Sequence, residues 1–215
     1  MADWETISSL ATAGGTLVLA VATFSAVKSS NRSARIAEQA LQEQRRPLFV
    51  QSRNDDTRQK IMFGDQHWVT VEGSRGAAEH VDGNVYLVMS LRNIGAGIGV
   101  CQAWSVRPGL QRRVDEHVTE DEFRAQLRDL YIPAGDIGLW QGAIRDASDP
   151  QYREIADAIA RRESIAVELL YSDQVGGQRT ISRFSLVPSP SEDDEEVKWA
   201  VSGNRHWYLD HAGPR

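Results

Sequence analysis

The chain has very little cysteine and no excess of basic residues. Cys101 is the single cysteine among 215 residues, so no disulfide can form within the chain. A lone thiol is typical of a protein in a reducing compartment. The 24 Lys and Arg residues are outnumbered by 30 Asp and Glu, which gives a formal net charge of −6. This balance argues against a nucleic-acid-binding protein, which needs a basic face.

The sequence also lacks the common catalytic and nucleotide-binding signatures. It contains no Gly-x-Ser-x-Gly, His-Glu-x-x-His or Gly-Lys-Ser/Thr motif. The glycines of residues 93–99 (NIGAGIG) do not fit a dinucleotide-binding loop, because the third glycine follows the second by two residues and the next run is β-rich. They predict instead a turn in which glycine supplies positive φ.

Possible metal ligands and nucleophiles are few. The densest group is Asp115, Glu116, His117, Glu120 and Asp121. Its spacing matches no known metal signature, and charged residues before a helix are typical of a solvated cap. Cys101 lies in an apolar stretch, which is typical of an inert core residue. We therefore predict no catalytic residue, no metal and no cofactor.

One long hydrophobic run stands near the N-terminus. Residues 7–27 contain no charge between Glu5 and Lys28. A helix of this length rises about 30 Å, which matches the hydrocarbon thickness of a bilayer. We expect a membrane-spanning helix, whose most lipophilic residues are Ile7, Leu10, Leu17, Val18, Leu19, Val21, Phe24 and Val27.

Other interpretations of this run are weaker. A secretory signal peptide needs a basic leader, whereas this one, Met-Ala-Asp-Trp-Glu, is acidic. A buried core helix of a soluble domain is a second alternative, but a helix that is apolar all round needs a large protein to bury it. An amphipathic surface helix is excluded, since the run has no polar face.

The charges on either side of the run predict its orientation. Asp3 and Glu5 precede it, and the juxtamembrane basic residues Lys28, Arg32 and Arg35 follow it. Positive charge stays in the cytoplasm, so we expect the N-terminus outside and the C-terminal part in the cytoplasm. Small residues four apart, such as Ala11 and Gly15, also suit close packing of two anchors into a homo-oligomer.

The rest of the chain divides into a short helical linker and a β-rich domain. We assign residues 1–27 to the tail and anchor, 28–47 to a basic helix ended by Pro47, and 48–215 to the domain. Alternating runs predict strands at 48–51, 60–63, 67–71, 84–92, 98–107, 137–145, 164–171 and 178–187. We further expect a loop at 72–83, short helices at 119–128 and 150–162, an acidic break at 188–196, and final short strands or a tail at 197–201 and 206–209.

Residues 91–99, LRNIGAGIG, resemble a strand connection in the immunoglobulin-like modules of bacterial cell-surface and adhesion-type proteins. The resemblance implies a β-sandwich in which Asn and Gly make a tight connection. The overall layout resembles small membrane-anchored bacterial proteins of unassigned function, which implies the bacterial inner membrane. The expected fold is mainly β: an antiparallel immunoglobulin-like sandwich with one transmembrane helix and two short helices. The Cys…Trp…Cys signature of true immunoglobulin domains is absent.

These features favour a membrane-tethered, non-enzymatic module that binds a protein partner at the cytoplasmic face. The alternatives are a structural or accessory subunit that acts through oligomerisation of its anchor, and an enzyme with an unrecognised site. Sheet edges accept added strands, so a polar patch near the hairpin 164–187 is the candidate partner surface. Ordinary cross-strand pairing is its other interpretation. The patch consists of Arg145, Tyr171, Asp173, Arg179 and Arg183.

Overall fold

The structure is a computed structural model that describes residues 4–109, 116–189 and 197–210. The chain divides into two compact units, of which the first ends at Glu43 and the second begins at Gln44. The first unit consists of most of one helix, α1 (Trp4–Gln44), and the second contains the strands.

α1 runs without a break for 41 residues, from the apolar run into the basic segment that follows it. By length and composition it is able to cross a membrane. The hydroxyls of Thr12, Thr16 and Thr23 donate to carbonyl oxygens four residues earlier, at 2.8–2.9 Å. These bonds satisfy the hydroxyls without water, so the polar residues of the run are compatible with lipid.

Eleven strands lie in the described part of the second unit. They are β1 (Phe49–Gln51), β2 (Gln59–Met62), β3 (Trp68–Val71), β4 (Arg75–Val81), β5 (Asn84–Asn93), β6 (Gly99–Pro108), β7 (Arg124–Ile132), β8 (Ile137–Ile144), β9 (Ile165–Asp173), β10 (Thr180–Ser189) and β11 (Lys198–Tyr208). A second helix, α2 (Pro150–Ala160), separates β8 from β9.

Nine of these strands form one antiparallel sheet that curls into a half-barrel. Its hydrogen-bonded order is β1-β5-β4-β11-β10-β9-β6-β7, and β8 pairs with β5. The curl brings β7 back to β8, where the Gln126 side-chain amide donates to the Gln141 carbonyl oxygen at 3.1 Å. β2 and β3 form a separate hairpin.

The mainly β, antiparallel fold class and the long apolar N-terminal helix are confirmed. The immunoglobulin-like sandwich is not confirmed, because a sandwich needs two facing sheets and these nine strands form one continuous sheet. Hydrogen bonds from β9 to both β6 and β10 leave no break at which the sheet would divide in two.

The main core fills the inside of the half-barrel with buried side chains that include Phe49, Leu87, Met89, Trp140, Leu169 and Phe184. The other face of β5 is also buried, because the β2–β3 hairpin covers Tyr86 and Val88. α2 begins as the sequence predicts, with the Asp149 carboxylate accepting from the Gln151 N–H at 2.9 Å. Its residues Ile155 and Ala158 are fully buried in the core.

The predicted helix at 119–128 is wrong beyond its first turn. The Glu122 carboxylate accepts from the Thr119 N–H at 2.8 Å, as a capping box requires. After the single 3-10 turn Glu120–Glu122, Phe123 is extended (φ −83°, ψ 139°) and the chain continues as β7. Pairing with β6, which is distant in the sequence, outweighs the local helical preference.

The predicted loop at 72–83 is also wrong, because it contains β4. This strand pairs with β5 from Gly76 to Val81. A Cβ atom on Gly76 would lie 2.6 Å from the Val88 carbonyl oxygen and 2.4 Å from the Leu186 side chain. The small residues that weaken the local strand pattern are therefore the ones that the close packing of β4 requires.

The C-terminal segments join into one strand. β11 replaces the two predicted short strands or tail, and it pairs with β10 over its whole length. β10 extends to Ser189, so the start of the predicted break at 188–196 is strand. The remainder of that break, 190–196, lies outside the described residues.

The glycines of 93–99 are needed because the backbone there lies close to another part of the chain, and not because they adopt positive φ. Gly95, Gly97 and Gly99 are not among the described glycines with positive φ. A Cβ atom on Gly95 would lie 2.2 Å from the Arg46 carbonyl oxygen, and one on Gly97 would lie 1.7 Å from that of Arg45. The backbone of this connection therefore packs directly on the chain that enters β1.

Candidate functional site

The predicted membrane-spanning residues all lie in α1. Those whose side chains are described are between 52% and 73% exposed: Leu10, Leu17, Val18, Leu19, Val21, Phe24 and Val27. Ile7 lies in the same helix. These side chains form a long exposed apolar surface that water does not favour. The basic residues Lys28, Arg32 and Arg35 are exposed on the same helix.

The five residues of the predicted partner surface do not form one patch. Arg145 pairs with Asp65 at 2.9 Å, and Arg179 pairs with Glu120 at 2.6 Å. Asp173 shapes its own hairpin turn, because its carboxylate accepts from the Gly177 N–H at 2.8 Å. Each of these three side chains therefore has a local structural partner.

The other two members of that set are buried. The Tyr171 ring is stacked on Phe49 with centroids 4.1 Å apart, and its hydroxyl accepts from the Phe49 N–H at 3.1 Å. Burial raises the pKa of Tyr171 well above its usual value. Arg183 forms an ion pair with the buried Glu168 and donates to the Glu116 carbonyl oxygen. The Glu168 carboxylate also accepts from the Val118 N–H at 2.8 Å. Neither side chain belongs to an accessible surface.

A cavity suited to binding lies elsewhere, between β7 and β8. A cavity of about 680 Å³ opens there, which we call the seam cavity. Its walls come from the β2–β3 hairpin, from Trp104 of β6, from residues 124–128 of β7 and from the end of β8. The volume is in the range of small-ligand and peptide pockets.

Trp104 lies at the floor of the seam cavity. The rings of Trp104 and Trp140 meet edge to face with centroids 5.5 Å apart. A Cβ atom on Gly142 would lie 2.7 Å from the Trp140 ring, so glycine is required at this position. Apolar side chains remain open around the cavity, since Leu127 is 94% exposed and Met62 is 47% exposed.

Three guanidinium groups line the cavity beside one carboxylate. Arg124 forms a bidentate pair with Asp149, which caps α2, and Arg145 pairs with Asp65. Arg128 is exposed and makes no hydrogen bond or ion pair with any described residue. The lining is therefore net positive, in a chain whose overall charge is negative.

Two buried amide oxygens in the lining have no hydrogen-bond donor among the described residues. These are Oε1 of Gln126 and Oε1 of Gln141, and the Gln141 residue is only 9% exposed. Leaving a buried acceptor without a donor costs about 1–3 kcal/mol. Both oxygens are enclosed, so a ligand with N–H groups would remove that cost only after the side-chain amides turn towards the cavity.

The strand edges that face the cavity are unpaired. Within the described sheet, β7 pairs with β6 alone and β8 pairs with β5 alone. The two strands follow each other through the turn after Ile132, where the Asn93 side-chain amide donates to the Ile132 carbonyl oxygen at 3.0 Å. Their facing edges therefore offer backbone donors and acceptors to a third segment.

Asp65 fastens the β2–β3 hairpin to the rim of the cavity. Its carboxylate accepts from the Tyr86 hydroxyl at 2.7 Å and from Arg145 at 2.9 Å. Burial raises the pKa of Asp65, but the hydrogen bonds from Arg145, Tyr86 and His67 outweigh it and lower the pKa to about 2. The ionised form is therefore the one that the fold stabilises.

The Asp65→Asn substitution is expected to lower the free energy of unfolding near pH 7 by about 1–2 kcal/mol, a value reduced for solvent screening. Because the folded pKa lies below the unfolded one, this contribution is present above about pH 4 and is lost as the pH falls towards 2. Urea denaturation as a function of pH measures it. The exposed Asp157→Asn variant is the control and is expected to change stability by less than about 0.5 kcal/mol at every pH. Equal losses in the two variants would contradict the prediction.

Sequence reasoning found one residue of this site, Arg145, and missed the others. Arg124 and Arg128 were assigned to a helix, which hid their place on a strand edge beside β8. The local signal is Leu127, an apolar residue between Arg124 and Arg128. It indicates a binding edge only when residues 124–132 are known to form a strand.

The remaining candidate residues show no site chemistry in the structure. Among the described residues, no three His, Cys, Asp or Glu side chains lie close enough to hold a metal ion. Asp115 of the acidic group lies outside the described residues. Cys101 is buried in β6, and burial raises the pKa of its thiol to about 12, so the thiolate is strongly disfavoured.

The sequence matches no model of a protein family and no curated protein. A crystal structure of a protein from Archaeoglobus fulgidus is similar over 62% of this chain and 93% of that chain, with 11% identity and a TM-score of 0.23. A likeness at this level carries no argument about fold or function.

Proposed function

We propose that this protein is a single-pass membrane protein that holds a non-enzymatic β-domain at the cytoplasmic face, where the domain binds a protein partner. The observation that carries the proposal is α1, whose described apolar side chains stay exposed over the length of a bilayer. Exposed apolar surface of this extent is typical of contact with lipid.

The orientation is supported by the charges that flank the apolar run. Acidic residues precede it, whereas Lys28, Arg32 and Arg35 follow it. By the positive-inside rule these charges favour a cytoplasmic second unit, and the lone thiol of Cys101 is in keeping with a reducing compartment.

Partner binding is supported by the seam cavity. Its aromatic floor, exposed leucine and unpaired strand edges are features that sheet proteins use to bind other chains. Within the described part of the chain, the lining holds two amide oxygens without donors and one guanidinium, that of Arg128, without a carboxylate partner, which suits an electrostatically complementary ligand. We assign the protein to binding on this basis.

The Leu17→Arg substitution is expected to shift most of the protein out of the membrane fraction. Leu17 is central in the apolar run, where arginine costs about 3 kcal/mol and leucine contributes favourably. The run is only moderately apolar, so this cost is enough to reverse insertion by about a hundredfold. Carbonate extraction of cell membranes, followed by immunoblotting, measures the retained fraction.

Leu41→Arg is the matched control for that experiment. Leu41 is also exposed on α1 but lies beyond the apolar run. We expect this variant to remain in the membrane pellet as fully as the unaltered protein. If the unaltered protein stays in the supernatant, the proposal of a membrane anchor is wrong.

Orientation and partner binding need separate tests. A phosphatase fused to the C-terminus is expected to be inactive, because it requires export, and an active fusion would reverse the orientation.

A photo-crosslinking amino acid at Leu127 is expected to give adducts with a different protein, whereas one at Val175, an exposed site in another turn, is not. Adducts only with a second copy of the chain would favour a structural subunit that oligomerises instead.

A further inference from the structure

The strand edge, the side-chain amides and the charges of the seam cavity indicate the chemistry of its ligand. We infer that it binds an extended segment of a protein partner that adds to the free edge of β8, with apolar side chains towards the tryptophan floor and acidic side chains towards Arg128. This inference rests on the proposed function, since it specifies the site and the kind of segment through which the partner binds.

The first argument is the backbone. The backbone of β8 pairs with β5 on one side and with no described strand on the other, where a single side-chain amide, that of Gln126, donates to the Gln141 carbonyl oxygen. An added strand lies about 4.8 Å from its neighbour and uses the N–H and C=O groups of the free edge. The seam cavity is the space beside that edge.

The second argument is the two side-chain amides. Oε1 of Gln126 and Oε1 of Gln141 are buried acceptors without donors in the described chain. A peptide backbone supplies an N–H group at nearly every residue. A small anionic amphiphile such as a fatty acid would fill the apolar floor and meet a guanidinium, but it has no N–H group for either oxygen. Once either amide turns towards the cavity, a peptide satisfies its oxygen and a fatty acid does not.

The third argument is charge. Of the three arginines in the lining, Arg124 and Arg145 already hold carboxylates, and Arg128 makes no pair with the described chain. A guanidinium binds a carboxylate in a bidentate arrangement, which gives both affinity and orientation. Since side chains of a strand alternate between two sides, a segment that alternates apolar and acidic residues fits the floor and Arg128 at the same time.

The test uses the full-length protein in detergent micelles and fluorescence anisotropy of labelled peptides. The probe is an octapeptide in which valine alternates with glutamate. It is expected to bind saturably, and at least about tenfold more tightly than an octapeptide in which valine alternates with lysine. A third peptide, with the valine–glutamate sequence and N-methyl groups at alternate residues, is expected to bind at least about tenfold more weakly because it cannot pair along a strand edge.

Two charge-reversal variants locate the site. Arg128→Glu is expected to weaken binding of the valine–glutamate peptide about tenfold or more, because it places like charges together. Arg153→Glu makes the same charge change on the exposed face of α2, outside the cavity lining, and is expected to leave the affinity within about twofold. Circular dichroism of both variants confirms that they keep the fold.

Three results would overturn the inference. One is the absence of saturable binding by the valine–glutamate peptide, and the second is equal binding to Arg128→Glu and Arg153→Glu. The third is tight binding of oleate that is lost in Arg128→Glu, together with undiminished binding of the N-methylated peptide, which would assign the cavity to small anionic amphiphiles. All three leave the membrane-tethered function standing, because fractionation and the phosphatase fusion test that function without the peptide.

Discussion

Replacing Arg183 with leucine is expected to lower the free energy of unfolding by about 3–5 kcal/mol, because it leaves the Glu168 carboxylate buried without its counter-ion. The two side chains are 8% and 5% exposed, and the Arg183 Nε donates to Glu168 at 2.8 Å. After the substitution the carboxylate keeps the Val118 N–H as a donor, at 2.8 Å, which cannot compensate its charge.

Urea denaturation of the full-length protein in detergent, followed by tryptophan fluorescence, measures this loss. Arg179→Leu is the control, because Arg179 forms a comparable pair with Glu120 that is 33% and 58% exposed. Its loss is expected to be below about 1 kcal/mol. Removing both charges with Glu168→Met and Arg183→Leu is expected to recover most of the stability, since no unpaired charge remains. Equal losses for Arg183→Leu and Arg179→Leu would show that the buried pair is not a stabilising element.

Replacing Asn93 with alanine is expected to cost at least about 3 kcal/mol, because each buried partner left unsatisfied costs about 1–3 kcal/mol. The Asn93 side chain is fully buried and makes four hydrogen bonds. Its oxygen accepts from the N–H groups of Leu48 and Gly95, both at 3.0 Å. Its nitrogen donates to the carbonyl oxygens of Gly97 and Ile132, at 2.7 and 3.0 Å.

Asn84→Ala is the matched control at the other end of β5. The Asn84 side chain makes a long hydrogen bond, of 3.4 Å, to the Asp82 carbonyl oxygen. We expect a change of no more than about 0.5 kcal/mol in its free energy of unfolding. The same urea titration compares the two variants, and a loss in Asn93→Ala no larger than in Asn84→Ala would contradict the role of Asn93 as the tie between β1, β5 and β7.

The sequence indicated the Asn93 connection only in part. The run of residues 91–99 pointed to a tight strand connection, and Asn93 does make one. The predicted reason was positive φ at the glycines, whereas the structure shows direct contact with the backbone at Arg45 and Arg46. Contact across about 50 residues of sequence cannot be derived from the local pattern of the run.

Elements with strong local signals were predictable. The alternation at 84–92 corresponds to β5 (Asn84–Asn93), and the cap and proline before 150–162 correspond to α2 (Pro150–Ala160). Elements held by distant partners were not, and β4 and β7 are the two examples. β4 is built from small residues that suit its neighbours, and β7 begins with a helical cap.

The sequence by itself determined the long apolar helix, the antiparallel β class and most strand positions, because each depends on the order of apolar and polar residues along a short segment. Only the tertiary structure decided that the strands form one curled sheet rather than two layers, and that the ends of this sheet enclose the seam cavity. That cavity joins the β2–β3 hairpin to β6, β7 and β8. The position of the cavity depends on which strand edges stay unpaired in the complete sheet. Pairing between strands that are far apart in the sequence cannot be derived from a local pattern of apolar and polar residues.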